Sequence, residues 1–218
     1  MVSRKLIAFD FDGVIADSMP GQERAWRQAA SAAGCSLHLE ERLVGNFYDG
    51  NAGSRMFEGL DLTPETAGRL RSAKDAIWLA MRDSTPLMRG SETALPRIAE
   101  QYVVAVATTA DSKYVTGLLA REKLLTFVSA IVTDRDVPNP KPAPDMLFRL
   151  IGDLSCDAKD TCLVGDSRTD YEMSRAAGVG FIRFASHQGA SGLRAPTVSS
   201  WDALAAHLLF GHSEPREL

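Results

Sequence analysis

Short apolar runs that break off at a polar residue constrain this chain more than any other feature. Leu6-Ile7-Ala8-Phe9 ends at Asp10, Tyr102-Val103-Val104-Ala105-Val106-Ala107 ends at Thr108-Thr109, and Thr161-Cys162-Leu163-Val164-Gly165 ends at Asp166. A further run, Ser129-Ala130-Ile131-Val132-Thr133, leads to Lys141 in a proline-rich segment. Apolar runs of this length, bounded by polar residues and glycine, read as buried strands. From Gly90 onward, strand candidates at 103–107, 130–133, 162–164 and 181–184 alternate with helix candidates at 94–100, 112–124, 144–151 and 168–177. Such alternation predicts an α/β fold: a doubly wound, Rossmann-like parallel sheet covered on both faces by helices. Ligands bind outside the carboxyl ends of strands in open α/β sheets. Three of the runs place an acid, a hydroxyl and an acid at that end.

The first strand and the rest of the sheet are separated by a long stretch with no strand signal. Ala25, Trp26, Ala29, Ala30 and Ala33 fall at helical spacing, with Gly34 as a stop. Residues 45–55 are polar and glycine-rich and read as a loop opening into a short helix. Thr63 as N-cap and Pro64 at the first helical position start a longer helix, with Ala73, Ile77 and Ala80 or Met81 on its apolar face. Lys74 falls in the middle of that helix, where it is not expected to meet the core. The expected division is a core of residues 1–15 and 86–218 and a small helical domain of residues 16–85 inserted after the first strand. Pro96 fits the helix at 94–100 only if that helix starts near Thr93. A final helix is expected over 201–210, followed by a frayed polar tail.

Composition narrows the function classes. The 218 residues are 45% hydrophobic and 24% charged, ordinary for a globular protein. A net charge of −4 gives no support for a nucleic-acid surface or a basic membrane patch, so any phosphate-binding charge must be local. Cys35, Cys156 and Cys162 have no metal-like spacing, and their odd number argues against a disulfide framework. No apolar run approaches a membrane span or a signal peptide, and a reducing, cytoplasmic setting is expected. Trp26, Trp78 and Trp201 are expected as packing anchors.

Asp10 and Asp12 flank Phe11, so both carboxylates can face one side of the strand end. Two close carboxylates repel and stay ionised only with a compensating cation or donor. The pattern points to a hard metal ion such as Mg²⁺ or to a proton shared at a catalytic centre. Asp170 lies one helical turn after Asp166, on the same face. Pro138, Pro140, Pro142 and Pro144 surround Lys141 and stiffen the segment that presents it.

Asp10-Phe11-Asp12-Gly13-Val14 with Asp17-Ser18, then Thr108, then Lys141-Pro142-Ala143-Pro144-Asp145, then Gly165-Asp166-Ser167 with Asp170, resemble the four motifs of the haloacid dehalogenase superfamily, in the family's order. The helical insertion resembles the C1 cap of its phosphoglycolate phosphatase and β-phosphoglucomutase branch. The resemblance implies a Mg²⁺-dependent phosphatase acting on a small phosphorylated metabolite through an aspartyl-phosphate. It implies Asp10 as nucleophile and Asp12 as general acid and base, with the Asp12 backbone carbonyl on the metal. It further implies Asp166 as a metal ligand, Asp170 beside the metal or Lys141, and Lys141 as the charge partner of the phosphoryl group. Thr108 and the neighbouring Thr109 would meet phosphoryl oxygens, and Asn46, Tyr48, Asn51 and Arg55 would read the leaving group. A sugar phosphomutase shares the same core, and a phospho-acceptor receiver domain uses similar residues. The receiver carries its acceptor on the third strand and lacks the insertion. Asp12 argues against dehalogenase chemistry, and the placement expected for Lys74 argues against phosphonate cleavage by a cap lysine. Neither nucleic acid nor membrane is expected as a partner, and the chain is expected as a monomer or weak homodimer.

Overall fold

A computed structural model describes residues 5–48, 53–185 and 193–211. Six strands form one parallel sheet: β1 (Leu6–Phe9), β2 (Val103–Thr108), β3 (Ala130–Thr133), β4 (Thr161–Gly165), β5 (Gly180–Phe184) and β6 (Thr197–Val198), in the order β3-β2-β1-β4-β5-β6. All four residues of β1 and all six of β2 are buried, because both faces of the sheet are covered. Side chains alternate across a strand. Ile7 and Phe9 therefore join Val104, Val106, Val164 and Ile182 on one face, under α4 (Ser91–Ala99), α5 (Ser112–Arg121) and α8 (Trp201–Phe210). Leu6 and Ala8 join Val103, Ala105 and Leu163 on the other, under α6 (Asp145–Asp153) and α7 (Arg168–Ala177). Trp201 is the largest plug, its ring 5.3 Å from that of Phe9 and its indole N–H donating to the Val14 carbonyl at 2.8 Å.

Between β1 and α4 the described residues form three α-helices, α1 (Met19–Ala32), α2 (Leu37–Tyr48) and α3 (Pro64–Met81), with short 3-10 turns at Gly53–Phe57 and Arg82–Ser84. Thr63 caps α3 by accepting the Thr66 N–H, with Pro64 at its first turn, as the sequence predicts. The insertion has its own small core of Trp26, Ala30, Leu43 and Met56. The outgoing and returning chain run side by side, with Met88 N donating to Ile15 O at 2.7 Å and Asp17 N to Pro86 O at 2.9 Å.

Four local expectations are corrected. Residues 45–48 belong to α2, because Leu43 is buried against Trp26 and carries the helix through the glycine. The inner face of α3 is Leu70 and Lys74, with Trp78 half-buried, while Ala80 is exposed. α4 begins at Ser91, two residues before Thr93, and tolerates Pro96 in its interior, where the Glu92 carbonyl has no N–H of residue 96 to accept. α5 stops at Arg121 rather than 124: Lys123 has a positive φ of 60°, which ends the helical run.

Candidate active site

The sheet reverses its winding at β1, with β2 and β3 to one side and β4 to β6 to the other. The crevice at such a switch point lies above the carboxyl ends of β1 and β4. Phe9 pairs with Val164 there, and Asp10 N donates to Val164 O at 2.9 Å, so Asp10 and Asp166 leave adjacent strand ends together. Lys141 reaches the same point from the segment before α6. Its ammonium lies 2.9 Å from Asp10 Oδ1 and 2.7 Å from Asp170 Oδ1, with the lysine side chain only 4% exposed. Asp10 Oδ1 also accepts the Phe11 N–H at 2.7 Å.

Asp170 is set by the start of α7. The Ser167 side chain accepts the Asp170 N–H at 3.2 Å, while Asp170 Oδ2 accepts the Ser167 N–H at 3.1 Å and its hydroxyl at 2.5 Å. This reciprocal capping box leaves the other carboxylate oxygen to Lys141. Gly165 has room for no side chain: a Cβ there would stand 2.5 Å from Asp170 Cβ. Gly13 is equally tight, since a Cβ would fall 2.1 Å from Asp166 Oδ2, and its φ of +78° suits only glycine.

Asp10, Asp166 and Asp170 each offer an oxygen within 4.8 Å of the others. Burial pushes the Asp10 carboxyl up to about 7, with Asp170 adding to the rise and Lys141 opposing it. Asp166 is driven well above the usual carboxylate range by burial and then by Asp10 and Asp170. For Lys141, burial opposes the charge, but Asp10 and Asp170 outweigh it and raise its pKa. Three converging carboxylates, Asp10 and Asp166 among them pushed upward, an all-oxygen donor set and a glycine leaving space beside Asp166 fit a hard divalent cation. Asp12 stands apart from this cluster. Burial raises its pKa, opposed by the Ser18 hydroxyl, Lys74 and Tyr114, whose phenol donates to Asp12 Oδ1 at 3.4 Å.

Above these groups is a cavity of about 610 Å³, lined by Asp10, Asp12, Thr109, Lys141 and Asp166 from the core. Thr108 lies beneath it, 1% exposed, its hydroxyl oxygen accepting the Ala110 N–H at 3.1 Å. The candidates from the insertion fare differently. Asn46 donates its amide to the carbonyls of Met56 at 3.0 Å and Glu58 at 3.1 Å, tying α2 to the following turn. Arg55 pairs with Glu172 of α7 at 3.5 Å and is not among the residues that line the cavity. Asn51 and the Tyr48 side chain lie outside what the structure describes.

The cavity wall opposite the acids is instead built from Met19, Gln22, Phe47, Lys74 and Trp78. Lys74 therefore does meet the core, because Leu70, Lys74 and Trp78 recur every fourth residue along α3 and share one face. With that, the ground for excluding a cap lysine from the site is gone. Neither Lys74 nor Tyr114 had a sequence signal: a lysine within a helix reads as solvated, and an aromatic on α5 reads as core.

Residues 7–184 match the family of haloacid dehalogenase-like hydrolases. The phosphoglycolate phosphatase of Vibrio cholerae is 30% identical over 187 residues, covering 82% of this chain and 83% of that protein. That of Pectobacterium atrosepticum is 32% identical over 181 residues, covering 79% and 76%. Among solved structures, a haloacid dehalogenase-like family hydrolase from Streptococcus pneumoniae superposes with a TM-score of 0.78 at 17% identity, covering 94% of this chain and 99% of that one. CbbY from Rhodobacter sphaeroides, in complex with phosphate, gives 0.68 at 21%, covering 92% and 96%. The acidic switch-point crevice, the helical insertion over it and a family match spanning most of the sequence agree, and the chain belongs to the haloacid dehalogenase-like hydrolases, in their C1-capped, phosphoglycolate phosphatase-like branch.

Proposed function

We propose that this enzyme is a Mg²⁺-dependent phosphatase of small phosphomonoesters that forms an aspartyl-phosphate on Asp10. The observation that carries the reading is Lys141, buried between Asp10 and Asp170 beside a cluster of three carboxylates. Phe11 N–H and Lys141 hold Asp10 Oδ1, which orients the carboxylate toward phosphorus. An oxygen of Asp10 forms a bond to phosphorus as the bond to the leaving oxygen breaks, and Asp12 gives that oxygen its proton. Asp12 then takes a proton from water, whose oxygen bonds to phosphorus as the Asp10–phosphorus bond breaks. Burial favours the protonated form of Asp12, the state the first step requires, and Tyr114 offers it a long hydrogen bond of 3.4 Å. Lys141 balances charge on the transferring group, and Thr108 and Thr109 border the space for its oxygens. Asp10, Asp166 and the Asp12 backbone carbonyl would hold Mg²⁺, with Asp170 behind them, and the ion would supply charge neutralisation between nucleophile and phosphate. We assign the cap to residues 16–85, closing over the core of residues 1–15 and 86–218. The named phosphoglycolate phosphatases at 30–32% identity support hydrolysis over the mutase alternative.

The test is release of inorganic phosphate from p-nitrophenyl phosphate and 2-phosphoglycolate with Mg²⁺. Chelation should abolish it and added Mg²⁺ restore it. Full activity after exhaustive chelation would sink the metal assignment, and isomerised sugar phosphate without free phosphate would favour the mutase.

A further inference from the structure

Tyr114 belongs to the core, yet much of what surrounds it comes from the insertion. Its ring, 4% exposed on α5, meets edge-on, at 5.4 Å, the ring of Phe11, the residue between Asp10 and Asp12. Trp78 of α3 meets it edge-on at 5.9 Å, and the Arg82 guanidinium carbon lies 5.5 Å from its centre. Arg82 also reaches Asp111 at 3.3 Å, and Asp111 caps α5 by accepting the N–H groups of Lys113 and Tyr114. Thr85, buried where the returning chain enters the core, hydrogen-bonds the phenol through its side chain.

A buried phenol has one O–H to give and needs an acceptor for it. With the Thr85 hydroxyl donating to the phenol oxygen, that proton is left for Asp12 Oδ1, 3.4 Å away. The distance is long for an O–H···O bond. It suits a neutral acid at rest. When Asp12 gives up its proton, the growing carboxylate becomes a charged acceptor, and bonds to charged acceptors are shorter and stronger. An interaction that strengthens as the proton moves lowers the barrier instead of the resting energy. A donor at Oδ1 also leaves the acid's own proton to Oδ2. The outgoing chain holds Asp12 as well, through the buried hydroxyl of Ser18, which accepts from Gln22 Nε2 at 3.4 Å.

Resting on the phosphatase reading above, we infer that Tyr114 is the positioning residue of Asp12 and that Thr85 acts through it, so that the returning chain of the insertion sets the acid for proton transfer. The phenol keeps its own proton throughout. The Asp12 proton alone passes to the leaving oxygen as the bond from that oxygen to phosphorus breaks.

The experiment uses the full chain with Mg²⁺ and measures kcat/KM for ethyl phosphate and p-nitrophenyl phosphate. This quantity reports the steps up to phosphoryl transfer onto Asp10. The ethoxy group must be protonated as it departs, whereas nitrophenolate departs without a proton. Tyr114→Phe keeps the ring and its packing and removes only the hydroxyl. It should raise the ratio of p-nitrophenyl phosphate to ethyl phosphate by about fivefold or more, the worth of one hydrogen bond. Thr85→Val should shift the ratio in the same direction, and Thr85→Ser should keep it at the wild-type value. The double variant Tyr114→Phe/Thr85→Val should shift it no further than Tyr114→Phe alone. The ratio is internal to each variant, so inactive molecules cancel from it. A wild-type ratio in Tyr114→Phe, with or without a loss on both esters, would overturn the assignment and leave the residue to packing. Additive shifts in the double variant would overturn the path through Thr85. No phosphate release from either ester by the wild type would sink the phosphatase reading; release with a ratio indifferent to Tyr114→Phe sinks the positioning role alone.

Discussion

Lys141 shows how much one side chain settles at the residue scale. Its ammonium bridges Asp10 and Asp170, which would otherwise repel, and its burial protects the pairing from solvent screening. Lys141→Met should lower kcat on every ester, on the order of a hundredfold, because the group it meets is common to all of them. Steady-state kinetics across neutral and anionic esters checks this, and a loss confined to one class would be the contrary result. Asp10→Asn should abolish turnover, while Asp12→Asn should cost roughly a hundredfold to ten-thousandfold, the range of general acid–base help. An Asp12→Asn enzyme near wild type would refute the division of roles. Asp10 was legible in the sequence because it follows an apolar run directly, where a strand end leaves its next residue little choice of place, and Asp12 because it alternates with Asp10 across Phe11. Tyr114 was not legible: its ring packs on Phe11 and Trp78 like any core aromatic, and only its hydroxyl reaches Asp12.

At the scale of elements, the start of α7 joins folding to the site. Ser167 caps the helix, and the same exchange of hydrogen bonds aims Asp170 at Lys141. Ser167→Ala should cost about 1 kcal/mol of stability, the usual worth of such a cap. It should also lower kcat more than it raises KM, since Asp170 loses a donor. Urea denaturation alongside kinetics checks both, and Ser167→Thr should restore them. A stability loss with unchanged kcat would confine Ser167 to capping. α3 illustrates the opposite case. Its cap and first-turn proline were plain in the sequence, but its inward face was not. Apolar periodicity assigns charged residues to solvent, whereas tertiary packing turned Lys74 toward a polar cavity. The side-chain hydrogen bonds of Asn46 serve the turn after α2 instead of the cavity, for a similar reason: the carbonyls of Met56 and Glu58 lie within its reach.

At the scale of the whole molecule, the insertion returns to the sheet under the control of α5. The Arg121 guanidinium donates to the Asp83 carbonyl and, at 2.5 Å, to the Thr85 carbonyl, while Arg82 reaches Asp111 at the start of the same helix. Arg82 also lies over the Tyr114 ring, so the returning chain touches the residue that holds Asp12. Arg121→Ala should therefore loosen the joint, with a loss of about 1 kcal/mol, discounted for a side chain that is 41% exposed. It should also speed proteolytic cleavage within residues 82–86. Limited proteolysis with mass analysis checks the site of cutting, and unchanged resistance would show that the backbone hydrogen bonds between the segments at Ile15 and Met88 suffice. No helix among the described residues is long and apolar enough to cross a membrane.

By itself the sequence determined the parallel sheet, the order of its acids, hydroxyl and lysine along the chain, and the helical nature of the insertion. Those properties are local: apolar runs, caps and proline spacing act over a few residues, and each run ends where its polar residue must emerge. Only the tertiary structure decided which side chains of the insertion face the acids. That choice depends on how α1 and α3 rotate against each other and dock over the switch point, through contacts such as Gln22 with Lys74, 52 residues apart. Periodicity marks which face of a helix is apolar, but it carries no information about a face buried against a charged cavity. The insertion residues that line the cavity with Asp10 and Asp12 became visible only in the packing of these helices over the switch point.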